Sequence, residues 1–224
     1  MRVDPSGLQT FTTFAGQSGR PPLIVQPHPM AVLLFGKRPP RRVDARRYPS
    51  LKKALRKLLG IRDDVAALIG LDGDDFPLSL AEGSNASISQ HCEVFIGLQL
   101  LAKHERDTDL LVGIIGHEIG HNPRDWPRLP PAGISQKKRL EIVRLEEDKA
   151  DRFSGRAMAD LGASPEPLCI FLENHAGFES KANAEYFPPD VRARSIRDAY
   201  RRRMRRLSGG DTGLLRKHRV RDLR

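Results

Sequence analysis

Cysteine is scarce: Cys92 and Cys169 are the only two in 224 residues, and their spacing suits no cysteine metal site. Nothing suggests export, so two buried thiols in a reducing compartment are expected. Aromatic residues make up only 6% of the chain, with a single tryptophan, which argues against a base-stacking surface for nucleic acid. No apolar run approaches the ~18 residues needed to span a bilayer, and residues 1–22 lack a basic-then-apolar signal pattern. A soluble, cytoplasmic chain without a membrane span is therefore expected. Acidic side chains are in deficit, 28 against 38 Lys and Arg, for a net charge of +10.

What the chain does contain is Gly113-Ile114-Ile115-Gly116-His117-Glu118-Ile119-Gly120-His121. The last five residues are a case of H-E-x-x-H. Residues four apart on an α-helix are separated by about 6 Å along the axis and about 40° around it, so His117 and His121 share a face. Two imidazoles so placed make half a zinc site, and Glu118 lies beside them without chelating. There it could take a proton from a water on the metal and return it to a leaving amine. The apolar turn before the motif, residues 110–115, suits a helix buried on several sides. Gly116 and Gly120 each cost a helix about 1 kcal/mol relative to alanine, which points to close approach of a strand or a ligand.

A catalytic zinc needs a third protein ligand and an open position. Arg124 and Pro127 stand where a metzincin would have its glycine and third histidine, which excludes that class. Residues 135–161 read as a later helix with an apolar face through Leu140, Val143, Ala150, Met158 and Leu161. Glu147 and Asp151 fall on that same face, and carboxylates facing a core are costly unless paired or bound to metal. Glu147 is the preferred third ligand, with Asp151, one turn on, as the acceptor that orients a ligand histidine.

HEIGH followed by Glu147-Asp148-Lys149-Ala150-Asp151 resembles the gluzincin metallopeptidases of the HtpX heat-shock protease and the type I CAAX prenyl protease. Ser84-Asn85-Ala86-Ser87 is similar to that family's Asn-Ala strand, and the likeness covers roughly residues 80–197. The resemblance implies a zincin-like α+β fold, a small mixed sheet packed on the H-E-x-x-H helix and a glutamate-bearing helix. It also implies that Asn85 and Ala86 lie on an edge strand that pairs with substrate backbone. Two departures stand out. Phe187 occupies the place of a histidine in the family's His-Pro segment, leaving Tyr186, His175, Arg192 and Arg194 as oxyanion candidates. The family is also typically built around transmembrane helices, which this sequence lacks.

The remaining chain is read as one domain over residues 23–207, with a loosely structured arm at 1–22 and a basic tail at 208–224. Short strands are expected at 23–25 and 31–35, then a helix over 51–59 with Ser50 as cap and Gly60 as stop, and a further helix or turn at 63–69. Asp72 to Asp75 reads as a solvated turn rather than a calcium loop. Residues 123–133, with four prolines and Trp126, are expected to rim the cleft; Trp126 could touch substrate or plug the surface. The helix expected at 189–207 carries eight arginines. They read either as an attraction to nucleic acid or another anion, or as a solvated face paired with the acidic loop near Asp72. The composite reading is a zinc-dependent endopeptidase acting on a protein or peptide. The alternative is a basic nucleic-acid- or partner-binding protein with a structural or latent zinc site.

Overall fold

The computed structural model describes residue 30 and residues 40–126, 134–174 and 186–209. The expected strands at 23–25 and 31–35, the arm, the tail from residue 210 on, the segment 127–133 and His175 lie outside the described residues. What is described is mixed α+β, mostly helical, with a small three-stranded sheet. No helix among the described residues is long and apolar enough to cross a membrane.

The first long helix, α1, spans Lys52–Ala67 and runs straight through Gly60. This corrects the expected stop there. Leu58, Ile61 and Val65 form one stripe that is wholly buried, and burying each contributes about 1.5–3 kcal/mol, more than the ~1 kcal/mol a mid-helix glycine costs. Ser50 is not the cap but part of a short 3-10 turn, Pro49–Leu51, that leads into the helix.

Strands β1 (Leu78–Ala81), β2 (Ala86–Ile88) and β3 (Val94–Gly97) are ordered β1-β3-β2. β3 is parallel to β1 and antiparallel to β2, with Ser87 opposite Phe95. The outer side of β1 is joined by the chain at Arg42, through Val43 N–H to the Leu80 carbonyl (2.8 Å) and Glu82 N–H to the Arg41 carbonyl (2.9 Å). Among the described residues β2 is therefore the edge strand. β3 is buried along its whole length, as the parallel centre of a sheet must be. It leads directly into α2 (Leu98–His104), followed by α3 (Thr108–Gly120).

α3 carries the H-E-x-x-H motif. The Asp107 side chain caps it by accepting from Leu110 N–H (3.0 Å), and every residue from Leu110 to Gly116 is buried. Gly116 and Gly120 lie against the backbone of another helix, α4 (Gln136–Leu161), rather than a strand. A Cβ on Gly120 would sit 2.9 Å from Ala150 Cα, and one on Gly116 would sit 3.3 Å from Ser154 Cα. Ser154 Oγ donates to the Gly113 carbonyl at 2.7 Å, pinning the two helices where they are nearest. α4 begins at a Ser135 cap and ends at Gly162, whose φ of 70° is the left-handed stop glycine supplies without strain.

α5 (Glu166–Asn174) and α6 (Pro189–Ser208) complete the packing behind α4. α6 buries Ala193, Ile196 and Ala199. Gly155 of α4 lies so near that a Cβ there would collide with the Ile196 carbonyl oxygen. Its arginines do not reach the loop near Asp72, as one reading had it. Arg197 pairs with Glu166 and Glu173, Arg203 with Asp160 and Arg192 with Asp151, all on α4 or α5. The acidic loop is served instead by Arg62 on Asp74 (3.4 Å) and Arg124 on Asp75 (2.7 Å).

Candidate metal centre

α3 and α4 cross so that His117, His121 and Glu147 converge. His117 Nε2 lies 3.2 Å from His121 Nε2 and 3.4 Å from Glu147 Oε2, and His121 Nε2 lies 3.6 Å from Glu147 Oε1. The two contacts to Glu147 end on different carboxylate oxygens; a tetrahedral ion with bonds of about 2.0–2.1 Å holds its donors about 3.3 Å apart, so the 3.2 Å between the two ring nitrogens suits two ligands of one zinc. Two nitrogens and one carboxylate are a donor set zinc accepts, and the three residues form a group that could hold a metal ion. Burial is deep: His121 is 1% and Glu147 4% exposed.

The centre is braced from α6. Asp151 Oδ1 faces His117 Nδ1 at 3.0 Å, the position the sequence assigns it. Arg192 then grips the Asp151 carboxylate with two donors, Nε to Oδ2 at 2.8 Å and Nη2 to Oδ1 at 2.9 Å, and the same Nη2 lies 3.2 Å from Glu147 Oε2. A bidentate guanidinium–carboxylate pair fixes both partners in one plane. Arg192 thus holds Asp151 and Glu147, rather than standing free as an oxyanion donor. Its position was legible as a candidate, but the partner was not, because pairing α6 with α4 depends on tertiary packing.

Burial disfavours charge on every group here, and the neighbours decide the outcome. Burial pulls His117 down, but Asp151 and Glu147 outweigh it and raise its pKa to about 10. Burial likewise lowers His121, where the pull of Glu147 is insufficient, leaving it at about 3 and neutral. Burial pushes Glu147 up, and the two histidines with Arg192 reverse this to about 2. Asp151 is held far below the carboxylate range because Arg192 and His117 overcome its burial. Glu118 differs: burial dominates and raises its pKa to about 7, against the opposing fields of His117 and Arg192.

The other sequence-derived positions divide. Ala86 opens β2, which packs against α3, and Asn85 immediately precedes it, exposed, its carbonyl accepting from Gly97 N–H at 2.9 Å. That bond and the β2–β3 register turn the N–H and C=O of Ala86 and Ile88 away from β3, toward the edge. Tyr186 lies beside the centre, its ring 5.7 Å from the Arg192 guanidinium carbon. Arg194 does not join it, being about 200° around α6 from Arg192, 70% exposed and 3.7 Å from Asp190. Phe187 stacks against Arg144, not against the histidines. Trp126 is 7% exposed, which fits the plug reading. Cys92 and Cys169 are both buried free thiols. Sequence reasoning passed over Glu146, which is buried, holds Lys149 at 3.0 Å and lies 4.0 Å from His121 Nδ1. Only the Glu146-Glu147 doublet hinted at it.

Compared with known proteins, the chain matches no family model, no curated protein and no solved structure.

Proposed function

We propose that this protein is a zinc-dependent endopeptidase with a zincin-like fold, His117, His121 and Glu147 holding the metal and Glu118 acting as general base. The observation that carries the reading is the convergence of the two ring nitrogens, 3.2 Å apart, on the Glu147 carboxylate, at 3.4 and 3.6 Å from its two oxygens, with Glu118 buried between the two histidines in sequence. Zinc held by His117, His121 and Glu147 would supply a Lewis acid that polarises a peptide carbonyl and lowers the pKa of an attacking water. Glu118 accepts the water's proton and returns it to the leaving amine. Asp151 keeps the His117 ring turned toward His121 and Glu147, and Arg192 keeps Asp151 in place. The outward groups of Ala86 and Ile88 offer an extended substrate a strand to pair with. The likeness of HEIGH and the Glu147–Asp151 spacing to the HtpX-type gluzincins supports the same reading.

A structural or latent site is the second reading. Arg192 already engages Glu147 at 3.2 Å, which lends it weight. Cleavage of unfolded casein by the zinc-loaded protein, beside Glu118→Gln with metal content measured for both, decides between them. The proposal expects equal zinc and a rate lower by about 10²–10⁴-fold in the variant. Equal zinc with no cleavage by either protein would establish the structural or latent site instead.

A further inference from the structure

The C-terminal half of α6 carries charge that the packing behind the metal centre does not use. From Ala199 to Ser208 it has five arginines and no acidic residue, and every basic residue of α6 is an arginine. Two of the five are paired: Arg201 holds Asp198 at 2.6 Å and Arg203 holds Asp160 at 2.7 Å. Arg202, Arg205 and Arg206 are exposed and have no ion pair among the described residues. They fall within about 100° of one another around the helix, on the side away from the buried Ala193 and Ile196.

α4 extends this surface. It meets the backbone of α6 at Gly155, and the next residue, Arg156, is exposed, with Arg152, Arg202 and Arg203 among the charged groups around it. Arg152, one turn earlier, is exposed as well and pairs with Asp148 at 2.7 Å. Arg152 and Arg156, like Arg202 and Arg206, are four residues apart, so guanidinium groups spaced by about 6 Å run up two adjoining helices. Like charges so spaced repel and weaken a helix, and the helix dipole offsets this only for Arg205 and Arg206, in the last turn of α6. The carboxylates here, Asp148, Asp160 and Asp198, are each already engaged. Even with Asp125 set against Arg156 across the concavity that both line, the arginines of α6 stay in surplus.

We propose that this face is a docking surface for the phosphate backbone of a nucleic-acid duplex, bound without regard to sequence. Charge complementarity carries it: a DNA duplex presents one negative charge per about 1.7 Å of its axis, and a guanidinium fork meets a phosphate with two donors. The surface offers no ring on which an unpaired base could stack, since Tyr200 lies about 120–160° around α6 from Arg202, Arg205 and Arg206 and is half-buried. Nor does it offer an apolar group to enter a membrane. Met204, the exposed hydrophobic residue of α6, is about 100–160° away, and the apolar face of the helix is buried in the protein. Contacts to phosphates alone fix position on a duplex and carry no sequence information. These arginines lie roughly 15–21 Å along α6 from Arg192, so the surface is separate from the metal centre and does not depend on the peptidase reading.

The test is fluorescence anisotropy of a short, labelled, mixed-sequence DNA duplex titrated with the full-length protein, beside the matching single strand, polyglutamate and phosphatidylserine vesicles. Three to four phosphate contacts give a salt slope of about −3 to −4, so affinity should fall roughly 40–150-fold between about 50 and 200 mM salt. A second duplex of unrelated sequence should bind alike. Arg156→Gln, Arg202→Gln, Arg205→Gln and Arg206→Gln combined are expected to weaken binding at low salt by about tenfold or more and to flatten the slope by about 3. The same charge removed elsewhere, by Arg47→Gln, Lys52→Gln, Lys53→Gln and Arg56→Gln at exposed positions, should leave the slope unchanged. Unchanged melting temperatures verify that both variants fold. No duplex binding, undiminished binding by the first variant, or an equal loss in both, which would mean that net charge alone is at work, would each overturn the proposal. So would tighter binding of the single strand, of polyglutamate or of the vesicles, which would assign the arginines to that class of partner instead.

Discussion

If the centre takes zinc as proposed, uptake should release about one proton at pH 8, with His117 as the source. In the metal-free centre its ring lies between Asp151 at 3.0 Å and Glu147 at 3.4 Å, and these carboxylates hold its pKa at about 10. About 99% of it is then protonated at pH 8, whereas a metal needs the free lone pair on Nε2. His121, at about 3, is already neutral, and Glu147, at about 2, already ionised, so neither contributes. Glu118, at about 7, is mostly ionised by pH 8 and adds little. One proton displaced per ion makes the apparent Kd for zinc fall about tenfold per pH unit over pH 7.5–9, flattening above the His117 pKa. Calorimetric titration in buffers of different ionisation enthalpy measures the proton count, and chelator competition measures the slope. Heats independent of buffer, or a Kd flat across that window, would refute the charge assignment. The stability of the metal-free protein carries the same signature. A raised folded pKa stabilises fully below the unfolded value of about 6.5, and that stabilisation is lost as pH rises through about 10. The depressed pKa of Glu147 acts oppositely, stabilising above about 4.5 and failing as pH falls toward about 2. The metal-free protein should therefore melt at a falling temperature as pH rises from about 6.5 to 10, a trend that saturating zinc removes.

Two further perturbations test the packing that builds the centre. Arg192→Met strips the guanidinium from Asp151 and Glu147, leaving buried carboxylates short of a partner, and should cost about 3–5 kcal/mol in urea unfolding of the metal-free protein. Gly155→Ala drives a methyl group into the Ile196 carbonyl and should cost about 1–3 kcal/mol in the same assay, with weakened zinc binding because α4 must shift. A Gly155→Ala protein as stable as the parent would mean that the α4–α6 contact is looser than described.

Much of the centre could be read in advance because its parts are local. His117, Glu118 and His121 are fixed relative to one another by one helix, and Glu147 and Asp151 by another, so periodicity alone places each group. The α4 boundaries were equally legible, since Ser135 and Gly162 are a strong cap and a strong stop. Harder were features that depend on what meets what. Gly60 reads as a stop until Ile61 and Val65 are known to be buried beyond it. Gly116 and Gly120 announce a close neighbour, but only the fold names it as a helix. Arg192 is one of eight arginines in a row that looks solvated. What distinguishes it is position relative to Asp151 across a packing interface, which no sequence period encodes.

Gly120 and Gly116 against α4 on one side, and Gly155 against α6 on the other, make a stack of three helices whose backbones meet with no side chain between them at those points. Contacts of that kind have no give, so a displacement of α6 reaches Glu147 nearly undiminished. α6 is the back-plate of the helix that carries Glu147 rather than an appendage carrying charge. Trimming the chain before Pro189 should unseat Glu147 from the histidines.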